Sequence, residues 1–74
     1  MNKFKPKSPQ EKVLFFFYES KVEISEALEL SIPTVDRICE SEDMFLKYLH
    51  KIADATDMKN IKLLQAYWRF RDGL

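Results

Sequence analysis

Pro33 is the residue that most constrains how this chain folds, because a proline is tolerated in a helix only within the first turn. Apolar residues at helical spacing lie on both sides of it, at Ile24, Leu28, Val35 and Ile38. Ser31 is well placed to cap a helix that begins beside Pro33. The pattern therefore predicts two short amphipathic helices joined by a tight turn, between about residues 23 and 40.

The segment from Ile24 to Ile38 (ISEALELSIPTVDRI) resembles the helix-turn-helix of bacterial and phage transcription regulators. The five core positions of that motif hold Ile24, Leu28, Leu30, Val35 and Ile38. That family usually has glycine in the turn where this chain has Glu29, so Glu29 either adopts a positive φ or accepts a slightly different turn. Ser25 stands where the family usually has alanine and is small enough for the helices to cross.

The N-terminal region reads as a basic arm followed by a helix. Residues 1–7 lack apolar periodicity and contain Pro6, which predicts a flexible basic arm ahead of a helical domain at residues 8–74. Ser8, Pro9 and Glu11 have the spacing of a capping box. We therefore expect a first helix from about Pro9 to Glu19.

Six consecutive apolar residues, Val13 to Tyr18, occupy this first helix and span more than one turn. They cannot all lie on one inward stripe, so at least one Phe should be left over. Either the C-terminal helix of the domain covers it, or it forms a surface for a partner or a second copy.

Two more helix starts follow the central segment. Ser41 precedes two acids and an apolar face made of Met44, Phe45, Tyr48, Leu49 and Ile52. Thr56 is placed to cap a last helix that ends near Gly73 and contains Ile61, Leu64, Tyr67 and Trp68. Residues 44–72 form either two helices or one long kinked helix. The prediction is an all-α domain of four or five helices containing a helix-turn-helix.

Size and composition limit the chain to one small globular domain. It has 74 residues, of which 46% are hydrophobic and 32% charged. The lone Cys39 excludes an intramolecular disulfide, and the first dozen residues are basic without an apolar run. We expect neither a secretory signal nor a membrane span, and a cytoplasmic location.

The formal net charge is zero, but the charges are segregated along the chain. Residues 1–12 carry four lysines against one glutamate. Residues 13–46 carry two cations against eight carboxylates, and residues 47–74 carry six cations against three carboxylates. The acidic middle disfavours DNA binding unless the basic ends contribute, because phosphate neutralisation supplies nearly all non-specific affinity.

The helix-turn-helix resemblance implies a set of DNA-contacting residues. In the family the second helix enters the major groove with its outward N-terminal residues. The expected contacts include residues of the second helix, the basic arm and the polar break before the motif. They are Ile32, Pro33, Thr34, Asp36, Arg37, Lys3, Lys5, Lys7 and Lys21. Arg37 is the strong donor to guanine, Asp36 can accept from a cytosine amino group, and Thr34 can contact a phosphate or a thymine methyl.

No residue pattern indicates an enzyme, a metal site or a cofactor. His50 is the one histidine and has no ligand partner at metal-binding spacing, and Cys39 reads as a small buried hydrophobe. The single glycine, Gly73, excludes a glycine-rich phosphate loop.

Two functions remain open from the sequence. The first is a phage or mobile-element DNA-binding regulator that binds double-stranded DNA as a homodimer. The second is a small protein-binding module, an antirepressor or an inhibitor of a host regulator, that uses the acidic helix-turn-helix surface. Cations beside the second helix would favour DNA, and cations on the opposite face would favour a protein.

Overall fold

A computed structural model of the chain describes residues 7–73, so most of the predicted basic arm lies outside the described residues. This part of the chain is all-helical, as predicted. The helices are α1 Pro9–Phe17, α2 Lys21–Leu28, α3 Ile32–Glu40, α4 Glu42–Lys47, α5 Leu49–Thr56 and α6 Asn60–Arg71. Residues 7–73 thus contain six helices rather than four or five, because the segment expected to form one or two helices forms three.

Serine side chains start four of these helices. Each serine oxygen accepts a hydrogen bond from the backbone N–H three residues later, at Ser8, Ser20, Ser31 and Ser41. The predicted caps at Ser8, Ser31 and Ser41 are confirmed. The carboxylate of Glu11 accepts from the backbone N–H of Lys7 at 2.8 Å, so the predicted capping box reaches the residue before the cap.

The turn between α2 and α3 contains a left-handed residue that is not glycine. Glu29 adopts φ 57°, the first of the two alternatives expected for it. The backbone N–H of Leu30 donates to the carbonyl of Ser25 at 3.0 Å, and that of Glu29 donates to Glu26 at 3.3 Å. These are the hydrogen bonds of a Schellman ending, so α2 stops here and the chain reverses into α3.

The same geometry ends α5 and overturns the predicted cap at Thr56. Asp57 adopts φ 58°, and the N–H of Met58 donates to the carbonyl of Ala53 at 2.9 Å. Thr56 is instead the last residue of α5, and its hydroxyl donates to the carbonyl of Ile52 at 2.8 Å. Because residues after Thr56 complete this ending, α6 begins only at Asn60 and has no side-chain cap.

One core joins all six helices. Its buried side chains are Val13, Leu14, Ile24, Leu28, Val35, Ile38, Cys39, Phe45, Ile52, Ala53, Leu63 and Tyr67. The rings of Phe45 and Tyr67 stack with centroids 4.6 Å apart. The predicted motif positions Ile24, Leu28, Val35 and Ile38 are buried, and Leu30 packs at the core edge.

The two terminal helices differ in detail from their predictions. α1 ends at Phe17 rather than Glu19, and Phe16 is 78% exposed, which confirms that one Phe is left over. On α6, Ile61 and Trp68 are exposed, whereas Leu63 is fully buried. The buried stripe of α6 is displaced because this helix packs against both α1 and α5.

None of the helices described in residues 7–73 is long and apolar enough to cross a membrane.

Val35→Asp should abolish cooperative folding or lower the melting midpoint sharply, since Val35 is fully buried. An unpaired buried carboxylate costs several kcal/mol, against a small domain's stability of roughly 5 kcal/mol. Thermal melts followed by circular dichroism measure this. Ile32→Asp is the matched control on the same helix. Because Ile32 is exposed, the melting midpoint of this variant should change little. Equal midpoints for the two variants would contradict the burial of Val35.

Glu29→Gly should raise the melting midpoint by a few degrees. A left-handed conformation costs an L-residue about 1–2 kcal/mol, which exceeds the roughly 0.5–1 kcal/mol of extra entropy that glycine loses on folding. Glu26→Gly, in the interior of α2, is the control and should lower the midpoint. A lower melting midpoint in both variants would show that the Glu29 conformation is not strained.

Candidate nucleic-acid interface

The solvent-facing side of α3 is the surface on which most of the predicted contacts lie. Burial of Val35, Ile38 and Cys39 turns the opposite side of this helix outward. The residues on that side, here called the α3 outer face, are Ile32, Pro33, Asp36, Arg37 and Glu40. They recur at three- and four-residue spacing, so they form one continuous stripe.

Thr34 lies beside this face rather than on it. It is half-buried, and its hydroxyl oxygen is 2.9 Å from that of Ser31. The backbone N–H of Thr34 also donates to Ser31, so both groups of Thr34 take part in the cap of α3. This pairing limits how freely the Thr34 hydroxyl can contact a ligand.

Two of the predicted DNA contacts bind each other. The ammonium of Lys21, at the start of α2, donates to the carboxylate of Asp36 at 2.6 Å. The same ammonium lies 3.8 Å from the carboxylate of Glu11 on α1. The hydrogen bond to Asp36 raises the pKa of Lys21, with burial opposing this and the charges of nearby acids adding to it. Lys21 therefore ties together α1, α2 and α3.

Arg37 differs from Lys21 in having no ion-pair partner among residues 7–73. Its side chain is exposed in the last turns of α3, and its carbonyl accepts from the N–H of Ser41 at 2.9 Å. Arg37 is thus the cation of the α3 outer face whose hydrogen-bond donors remain available to a ligand.

The predicted arm joins the domain near this face. Lys7 is exposed, and its backbone N–H binds the same Glu11 carboxylate that approaches Lys21. Lys3 and Lys5 lie outside the described residues. Glu11 therefore links the base of the arm to the Lys21–Asp36 pair, a connection that the capping pattern alone did not predict.

Exposed carboxylates are concentrated on α2, α3 and the turn that joins them. Exposed acids of α2, the following turn and the end of α3 are Glu23, Glu26, Glu29 and Glu40. In this region of the described chain, the cation without an ion-pair partner is Arg37, because Lys21 is paired. The local charge balance is negative, which opposes the approach of DNA phosphates.

The basic C-terminal helix is attached at the other end of α3. Glu42, just after α3, accepts hydrogen bonds from the Tyr67 hydroxyl at 2.6 Å and from Arg71 at 2.9 Å. These two bonds lower the pKa of Glu42. Burial and the bond to Glu42 raise the pKa of Tyr67 to about 12. Arg71 is therefore committed to a structural contact away from the N-terminal half of α3.

The remaining candidate side chains have ordinary structural environments. Cys39 is buried, and desolvation raises the pKa of its thiol to about 11, which keeps it protonated and unreactive at neutral pH. His50 is exposed and lies 3.4 Å from Asp54, one helical turn away. Residues 7–73 contain no group of three metal-ligating side chains that could hold an ion.

Comparison with protein-family models, with curated proteins and with solved structures finds no match to the chain. The helix-turn-helix resemblance therefore rests on its own residues. Any functional conclusion has to come from the chemistry of the α3 outer face and its surroundings.

Proposed function

We propose that the protein is a DNA-binding regulator that inserts α3 into the major groove. The observation that carries the proposal is the exposed guanidinium of Arg37 on the α3 outer face, which has no ion-pair partner within residues 7–73. α3 has nine residues. An α-helix with its side chains is about 10–12 Å in diameter, which fits a major groove about 12 Å wide.

Three side chains of this face have roles that follow from their chemistry. The fork of Arg37 suits the two acceptors on the major-groove edge of guanine. Ile32 and Pro33 offer apolar contact to thymine methyl groups at the N-terminal end of the helix. The lysines at positions 3, 5 and 7 supply phosphate contacts that offset the acidic surroundings of α3.

Such a face reads few base pairs, so binding as a homodimer to two half-sites would supply the missing specificity. The leftover apolar side chain Phe16 is exposed in the monomer and is available for contact between copies.

Arg37→Ala tests this function, because the change should weaken binding to a preferred sequence by about tenfold or more while leaving the melting midpoint nearly unchanged. The preferred sequence is obtained by selecting a random duplex pool with the wild-type protein, and affinities are measured by fluorescence anisotropy on that duplex and on a random one. The loss should be larger on the selected duplex.

Arg69→Ala is the matched control, because Arg69 is also an exposed arginine and lies on α6. Arg69→Ala should weaken binding to both duplexes slightly and by the same factor. If Arg37→Ala lowered the affinity for both duplexes by the same factor, Arg37 would be a phosphate contact and not a base contact. Absence of any selected sequence, with no measurable affinity for duplex DNA at low salt, would overturn the proposal.

A protein-binding module is the second candidate, favoured by the pairing of Lys21 with Asp36 and by the exposed acids of α2, α3 and the turn between them. Because the charges of Lys21 and Asp36 cancel, the α2–α3 surface is mainly acidic and suits a basic surface on a host regulator.

Photo-crosslinking distinguishes this candidate from the first. A photoreactive residue at position 40 should capture a protein in nuclease-treated host extract, whereas the same residue at position 62 on α6 should not. Capture of DNA alone at position 40, lost after nuclease treatment, would exclude the protein-binding function.

A further inference from the structure

We propose that Asp36 acts as an intramolecular substitute for a DNA phosphate, holding the Lys21 ammonium and so lowering the affinity of the protein for every DNA sequence. This inference rests on the proposed DNA-binding function. It adds a restraint on affinity at the same site, and it assigns Lys21 as a phosphate contact that is used only when Asp36 releases it.

The geometry places the pair at the edge of the α3 outer face. Asp36 is one residue before Arg37 on α3, and Lys21 reaches it from a helix start 15 residues earlier in the chain. The N···O distance of 2.6 Å is that of a charge-assisted hydrogen bond. A carboxylate oxygen in this position offers the ammonium the same charge and acceptor that a phosphate oxygen would.

The exposure of the pair shows that the ammonium is within reach of a ligand. The Lys21 side chain is 38% exposed and that of Asp36 is 44% exposed. An exposed ion pair is weak and exchanges readily with other partners. A phosphate arriving at the α3 outer face can therefore compete for Lys21, but it must displace Asp36 and overcome repulsion from it.

Glu11 is the second carboxylate near the Lys21 ammonium, and it is the one that remains when Asp36 is neutralised. Its Oε2 lies 3.8 Å from the ammonium, beyond hydrogen-bond distance, and its Oε1 accepts from the backbone N–H of Lys7. Glu11 therefore attracts the ammonium without forming a hydrogen bond to it. Neutralising Asp36 leaves a cation positioned at the outer face and available to a phosphate.

The test is a set of four variants measured on a labelled random-sequence duplex at several salt concentrations. These are Asp36→Asn, Lys21→Met, the double variant, and Glu40→Gln. Glu40→Gln is the matched control, since it removes one negative charge from the same helix face and Glu40 has no ion pair within residues 7–73.

Asp36→Asn should raise the affinity about fivefold or more and steepen the logarithmic salt dependence by about one, as expected for one more phosphate contact. The gain should disappear in the double variant, and Glu40→Gln should raise affinity less, without a steeper slope. Lys21→Met alone should lower affinity modestly, because it leaves the Asp36 carboxylate unpaired at the outer face. Thermal melts should show that all four variants remain folded.

A gain of equal size in the double variant would overturn the inference, because removal of a negative charge would then explain it without Lys21. An unchanged affinity in folded Asp36→Asn would also overturn it. In either case a selective loss by Arg37→Ala would leave the DNA-binding function standing. If no variant binds any duplex, both the function and the inference fall.

Discussion

The stacked rings of Phe45 and Tyr67 lie at the centre of a core on which all the helices depend. No helix in residues 7–73 exceeds 12 residues, and isolated helices of that length are marginal in water. Their stability must therefore come from the shared core. Tyr67 contributes twice, because its ring packs on Phe45 and its hydroxyl binds Glu42 at the start of α4. This pair connects the C-terminal helix to α4 in the middle of the chain. Because α4 directly follows α3, the contact also holds the C-terminal end of α3 in the core.

The exposure of the α3 outer face follows from the turn that precedes it. Glu29 and Asp57 both end a helix in the left-handed region without being glycine. Hydrogen bonds and tertiary packing stabilise this conformation against its intrinsic strain. At Glu29 the reversal brings Val35 and Ile38 onto Ile24 and Leu28, which leaves the other side of α3 in solvent. The candidate interface is thus a consequence of core packing.

The net charge of this protein says little about its surface, because positive and negative charges lie in different regions. A net charge of zero conceals an acidic α2–α3 region, and the fold adds a further effect by pairing Lys21 with Asp36. The charge of Lys21 is balanced by Asp36, and Arg37 is the cation of the α3 outer face that has no ion-pair partner in residues 7–73. If α3 reads DNA, affinity depends on the basic arm and on how easily Lys21 exchanges partners. If it binds a protein, the same arrangement presents an acidic surface with one basic contact.

The sequence by itself determined the features that depend on neighbouring residues. The caps at Ser8, Ser31 and Ser41, the helix beginning beside Pro33 and the burial of the central apolar positions were all predicted, because capping and amphipathic periodicity act within one or two turns. Tertiary structure alone decided the contacts between residues that are far apart in the sequence. The Lys21–Asp36 pair joins residues 15 apart, and the buried stripe of α6 follows from simultaneous contact with α1 and α5. Such contacts depend on how the helices are oriented in space, which no local pattern specifies.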